Sequence, residues 1–137
     1  MIALKVIVCL DKNGGMLFNR RRQSRDRYLI DDLERQVQGA SLRMAPYSQP
    51  LFLQNKISCV VSEDPLADAG AEDYCFIEDR ALSPYQDSIT EVILYHWNRH
   101  YPADLVFDLD MSAFKRISTA DFPGFSHEKI TKEVWKR

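Results

Sequence analysis

The sequence predicts an α/β protein: one domain over residues 1–137, built on a mixed sheet with few flanking helices. Three observations carry this. Nearly continuous runs rich in branched apolar residues, 2–10 (IALKVIVCL), 57–62 (ISCVVS) and 90–97 (TEVILYHW), read as strands covered on both faces. A single apolar stripe at helical spacing, through Leu29, Ile30, Leu33 and Val37, reads as one long early helix. Two alternating runs near the C-terminus, 114–118 (FKRIS) and 129–135 (KITKEVW), read as half-exposed strands, antiparallel and near a sheet edge.

The elements follow in order. The first strand stops at Asp11, and Asp11-Lys12-Asn13-Gly14-Gly15 is a turn in which glycine adopts positive φ without penalty. Five arginines then fall between Arg20 and Arg27. The helix spans 28–38 (YLIDDLERQVQ), with Gly39 as its stop signal. Residues 41–45 (SLRMA) form a short strand, and 46–50 (PYSQP) a loop. After ISCVVS, the acidic stretch 63–73 is a loop with at most one helical turn. Residues 74–77 (YCFI) form a strand, 83–88 a turn or short helix opened by Pro84, and 105–109 (LVFDL) a short extended piece after the break at Tyr101-Pro102.

Composition excludes several classes. Apolar content of 45% and charged content of 28% are ordinary for a globular chain. A net charge of −2 gives no global attraction to nucleic acid or membrane, so any electrostatic function must be local. No window approaches the ~20 apolar residues that span a bilayer, and Lys5 and Asp11 interrupt the first apolar run before it makes a leader. Cys9, Cys59 and Cys75 are an odd set without CxxC spacing; they predict reduced thiols packed as small hydrophobes in a cytoplasmic protein. His96, His100 and His127 predict no metal site. On a strand His96 and His100 stand more than about 10 Å apart by rise.

With its pieces in this order the chain resembles dihydrofolate reductase. IVCLDKNGGM is similar to that family's first strand and active-site loop. YLIDDLERQ followed by SLRMAPYS is similar to its substrate helix and the strand after it, and ISCVVS to the next strand. EVILYHWNRHYPADLVFDLD and FSHEKITKEVWKR, with its Ser126-His127 pair, are similar to its last strands. The resemblance implies the family's mixed sheet and, for a working member, NADPH and a carboxylate at the start of the substrate helix.

The chain is shorter than typical members and departs from them at four functional places. The Gly-Gly step that lets backbone N–H groups reach the cofactor's pyrophosphate is absent after Gly15; the matching place reads Glu78-Asp79, which repels phosphate. The turn that should carry a cation for the adenosine phosphate reads Ala45-Pro46-Tyr47-Ser48. The arginine for the substrate's carboxylate tail falls near Lys56, which lacks the bidentate fork. The catalytic carboxylate falls between Arg27 and Leu29, leaving Asp26 and Asp31 as offset candidates.

The expectation is therefore a degenerate, divergent member of this fold that acts as a binding module without NADPH. A small anionic or nucleotide-like ligand is expected between the arginine loop and the helix face. Gly14, Gly15, Arg21, Arg22, Arg25, Arg27, Ile30, Leu33 and Ser48 are its candidate contacts, with the glycines as a hinge and clustered guanidinium groups answering phosphate or carboxylate. Two alternatives stay open: a divergent NADPH-dependent reductase, and an RNA- or protein-binding module using the arginine loop, for which a steep salt dependence is the signature. A homo-oligomer is compatible with the sequence.

Overall fold

A computed structural model describes residues 3–137. Strand β1 (Leu4–Leu10) is the spine, and its alternation decides the layers. Val6 and Val8 point to one face of the sheet and Ile7 to the other, so each face needs a cover. The following chain supplies β2 (Gly15–Phe18), β3 (Arg21–Arg22), helix α1 (Arg27–Gln36), β4 (Ser41–Met44), β5 (Ser58–Val61), the one-turn helix α2 (Pro65–Asp68), β6 (Tyr74–Phe76), β7 (Ile89–His96), β8 (Leu105–Val106), β9 (Lys115–Phe122) and β10 (Ile130–Lys136). Short 3-10 helices span Pro46–Phe52 and Ser83–Tyr85.

Seven strands form one sheet in the order β5-β4-β6-β1-β7-β10-β9. The first five run parallel, and β10 runs antiparallel to both its neighbours, β7 and β9. The expected mixed sheet is present, with the two alternating C-terminal runs as its antiparallel edge. Helix α1 covers one face through Leu29, Ile30 and Leu33, which pack with Ile7, Phe76, Ile93 and Tyr95. The opposite face is covered by Met16, Leu17, Leu66, Leu82 and Phe114, contributed by β2 and the connections.

Several expectations need correction. Residues 57–62 were expected as a strand covered on both faces. Instead β5 is a sheet edge of mostly half-buried residues, because the next strand, β6, pairs on the other side of β4. Of the run 2–10, Leu4–Leu10 forms β1, Ala3 lies before the strand, and Ile2 lies outside the described residues. The segment after Gly14 is not one loop. Its backbone forms β2 and β3, which join β8 in a separate three-stranded sheet. Alternation is too short over four residues and two residues to register in sequence. Cys75 is fully buried, whereas Cys9 and Cys59 are only partly so; all three thiols are free. Among the described residues, no helix is long and apolar enough to cross a membrane.

Candidate functional site

The parallel strands β1, β6 and β7 end at Leu10, Phe76 and His96, and open parallel sheets place ligands beyond such carboxyl ends. Here Cys9, Phe76, Ile77, Glu78 and Trp97 from the strand ends meet Leu29 and Ile30 of α1 and the chain from Arg22 to Asp26. The space they enclose is about 10 Å³, room for one water. Two polar networks close it.

The first is centred on Asp26, the N-cap of α1, whose side chain accepts from the Tyr28 N–H at 2.9 Å. The N–H groups of Phe125 and Ser126 also donate to it, each at 2.9 Å. His127 Nδ1 lies 2.9 Å from Asp26 Oδ2. The side chains of His127 and Asp26 are 2% and 0% exposed. On the other edge of the imidazole, Nε2 lies 2.9 Å from Ser24 Oγ and 3.1 Å from Tyr101 Oη. The ring stacks on Trp97 at 4.7 Å between centroids. Burial pushes the Asp26 carboxyl up, but the hydrogen bonds from Phe125, His127, Ser126 and Tyr28 outweigh it and hold the pKa down at about 2. Gly124 makes this crossing possible: a Cβ there would stand 2.7 Å from both Asp26 Oδ2 and His127 O.

The second network belongs to Glu78. Its carboxylate receives Arg22 through Nε at 2.5 Å and Nη2 at 2.9 Å, and the Ser48 hydroxyl at 2.7 Å. Tyr47 Oη accepts the Arg22 N–H at 2.7 Å, while its ring lies beneath the guanidinium at 4.7 Å. An internal carboxylate thus takes the place an external anion would take on Arg22. Burial and the Glu78 charge push the neighbouring Cys9 thiol up, so it stays protonated.

Beside this closed centre runs an open groove of about 480 Å³, lined by Arg25, Arg27, Ile30, Leu51, Leu53 and Phe125 together with Asp26 and Ser126. Arg27 lies over the Phe125 ring at 4.5 Å. Among the described residues, Arg25 and Arg27 make no ion pair.

The candidate residues divide accordingly. Arg25, Arg27 and Ile30 line the groove, and Arg25 and Ile30 also line the closed space. Arg22 and Ser48 face inward, but both are committed to Glu78; this corrects the expectation of an Arg22 free for an anion. Arg21 lies apart, in a shallow depression with Phe18 and Tyr101. Leu33 is fully buried core. Gly14 and Gly15 line neither the closed space nor the groove. Gly14 takes φ +75° in the turn and Gly15 packs against Ala103 and Gln23, so close packing, not hinging, is what asks for glycine at 15. Asp26 lies at the site, whereas Asp31 lies on the helix flank, accepting from Asn55 at 3.1 Å.

The sequence pattern gives Ser24, Tyr101 and Trp97 no role in a site, and it carries His127 only as a histidine without metal spacing and as half of the Ser126-His127 pair. The signal for Asp26 was local: a Ser-x-Asp step before an apolar stripe is an N-cap pattern. Nothing local links it to a histidine 101 residues away. Among the described residues no cluster of three His, Cys, Asp or Glu side chains is placed to hold a metal ion.

The fold is similar to that of dihydrofolate reductase from Enterococcus faecalis complexed with NADP(H) and RAB-propyl. The match has a TM-score of 0.65 and 12% identity, and it covers 98% of this chain and 96% of that one. The chain therefore has a dihydrofolate reductase-like fold, as its order of elements implied. No protein-family model matches it, and no curated protein matches it by sequence.

Proposed function

We propose that this chain is a binding module of dihydrofolate reductase-like fold. It holds a small anion with an apolar body in the groove between α1, the Pro46–Phe52 helix and Phe125, and it works without NADPH. The observation that carries the reading is the pairing of two guanidinium groups, which make no ion pair among the described residues, with apolar walls in a groove of ligand size. Arg25 and Arg27 supply the charge for a carboxylate or phosphate. Ile30, Leu51 and Leu53 supply contact area, and Leu53 and Phe125, at 73% and 58% exposed, have surface still to bury. The Asp26 carboxylate at the groove wall does not oppose this, because backbone N–H groups and His127 already receive its charge.

Glu78 supports the absence of NADPH from the reading. It follows β6, where the resemblance calls for glycine N–H groups facing a pyrophosphate, and a carboxylate there repels the ligand.

Calorimetry and thermal shift with inorganic phosphate, aromatic carboxylates, nucleoside monophosphates and NADPH test the reading. At least one aromatic carboxylate or monophosphate should bind saturably. A ligand at 100 times its Kd should add about 2.7 kcal/mol of stability. The Arg25→Ala/Arg27→Ala variant should lose at least about tenfold in affinity, equivalent to ~1.4 kcal/mol, while its unliganded stability changes little because both side chains are exposed. Unchanged affinity in that variant, or saturable micromolar NADPH binding, overturns the reading.

A further inference from the structure

We propose that Ser24 is an activated nucleophile, with His127 as its general base and Asp26 as the residue that positions the imidazole, suited to acyl transfer from a small activated ester or thioester. The groove's anion is not needed for this reading.

The geometry is that of a nucleophile–base–orienter chain. Ser24 Oγ stands 2.9 Å from His127 Nε2, and His127 Nδ1 stands 2.9 Å from Asp26 Oδ2. The Asp26 carboxylate accepts from Nδ1–H, which leaves the lone pair of the neutral ring on Nε2, facing the serine. The imidazole cannot turn away, because Trp97 stacks on its face and its side chain is 2% exposed. A histidine that only joined the C-terminal loop to α1 would need its Nδ1 contact alone. The Nε2 edge is instead aimed at the hydroxyl of a half-buried serine that lines the closed space. Arg25 lines that same space, makes no ion pair among the described residues, and supplies positive charge for a developing oxyanion. The closed space itself holds one water and no acyl chain; Arg25, Asp26, Ile30 and Leu51 line both it and the groove, so an acyl group would approach Ser24 from the groove side.

The step balances with water as the second reactant. Ser24 Oγ bonds to the acyl carbon as its proton passes to His127 Nε2. The tetrahedral adduct collapses by breaking the bond to the leaving alcohol or thiol, which departs with that proton. Water then attacks the Ser24 ester and gives a proton to Nε2. Release of the carboxylic acid returns the proton to Oγ.

Tyr101 makes the assignment testable. Its hydroxyl, 3.1 Å from Nε2, competes with Ser24 for a single lone pair. The full chain is treated with an alkyl fluorophosphonate, which loses fluoride when a serine oxygen attacks phosphorus, and adducts are located by peptide mass spectrometry. The expected result is an adduct on Ser24, formed about 100-fold more slowly in His127→Gln and faster than the parent in Tyr101→Phe. No adduct on Ser24, or an equal rate in folded His127→Gln, overturns the proposal. Should His127→Gln fail to fold, Tyr101→Phe decides: a rate no higher than the parent's overturns it. The readout uses no groove ligand, so groove binding and Ser24 reactivity can each fail while the other stands.

Discussion

Five hydrogen bonds converge on the two oxygens of Asp26, from the N–H groups of Tyr28, Phe125 and Ser126, the Ser126 hydroxyl and His127. Each is stronger for the carboxylate than for the acid, which is why the pKa sits at about 2 in the fold against an ordinary 3.8. The sign of the linkage follows. A depressed folded pKa contributes stability that is present in full above the unfolded value and is lost as pH falls through the folded one. Asp26 should therefore add on the order of 2 kcal/mol above about pH 4, fading toward pH 2. Urea unfolding of the parent and Asp26→Asn across pH 2–6 measures it: the gap between the two proteins should close on acidification. A gap independent of pH would mean that Asp26 acts through shape alone.

At the level of elements, β2 and the turn before it show that adjacent glycines can be required for different reasons. A Cβ on Gly15 would meet Ala103 Cβ at 2.5 Å and Gln23 Nε2 at 2.7 Å, so the clash is with packed neighbours. A Cβ on Gly14 would meet nothing within 4 Å, and only its φ of +75° resists a side chain. Gly14→Ala should cost about 1–2 kcal/mol from left-handed strain. Gly15→Ala should cost about 1–3 kcal/mol from overpacking and should also shift Gln23, and with it the chain leading to Ser24. Urea midpoints rank the two, and the Ser24 labelling rate separates them: it should fall in Gly15→Ala and hold in Gly14→Ala. Equal labelling in both variants would show that β2 does not position the serine. Helix α1 couples to the site in the same way, since its N-cap Asp26 is also the residue that positions the His127 imidazole.

For the whole molecule, the strand order sets the gradient of stability. β1 lies at the centre with parallel neighbours on both sides, whereas β9 is an edge whose residues are almost all exposed, Ile117 among them. Amides of β1 and β7 should therefore exchange only through global opening, while β9 opens locally at lower free energy. Hydrogen exchange resolved by mass spectrometry should find residues 6–8 and 92–95 the slowest and residues 115–119 among the fastest of the strands. Protection of β9 equal to that of β1 would reveal a partner on that edge, such as a second copy of the chain.

The sequence by itself determined the layered α/β architecture, the one long helix, the antiparallel C-terminal edge and the order of pieces that resembles dihydrofolate reductase. These features rest on periodicities of 2 and 3.6 that neighbouring residues carry locally. It also marked Glu78 as hostile to phosphate and Arg21, Arg22, Arg25 and Arg27 alike as available charge. Only the tertiary structure decided that Arg22 is consumed by Glu78, that Arg21 and Arg22 form a strand beside β2, and that Ser24, Asp26, Tyr101 and His127 meet. Ser24 and His127 are 103 positions apart. Their contact depends on β10 returning antiparallel beside β7 and delivering the Phe125–His127 turn onto the cap of α1, a long-range pairing that no local pattern encodes.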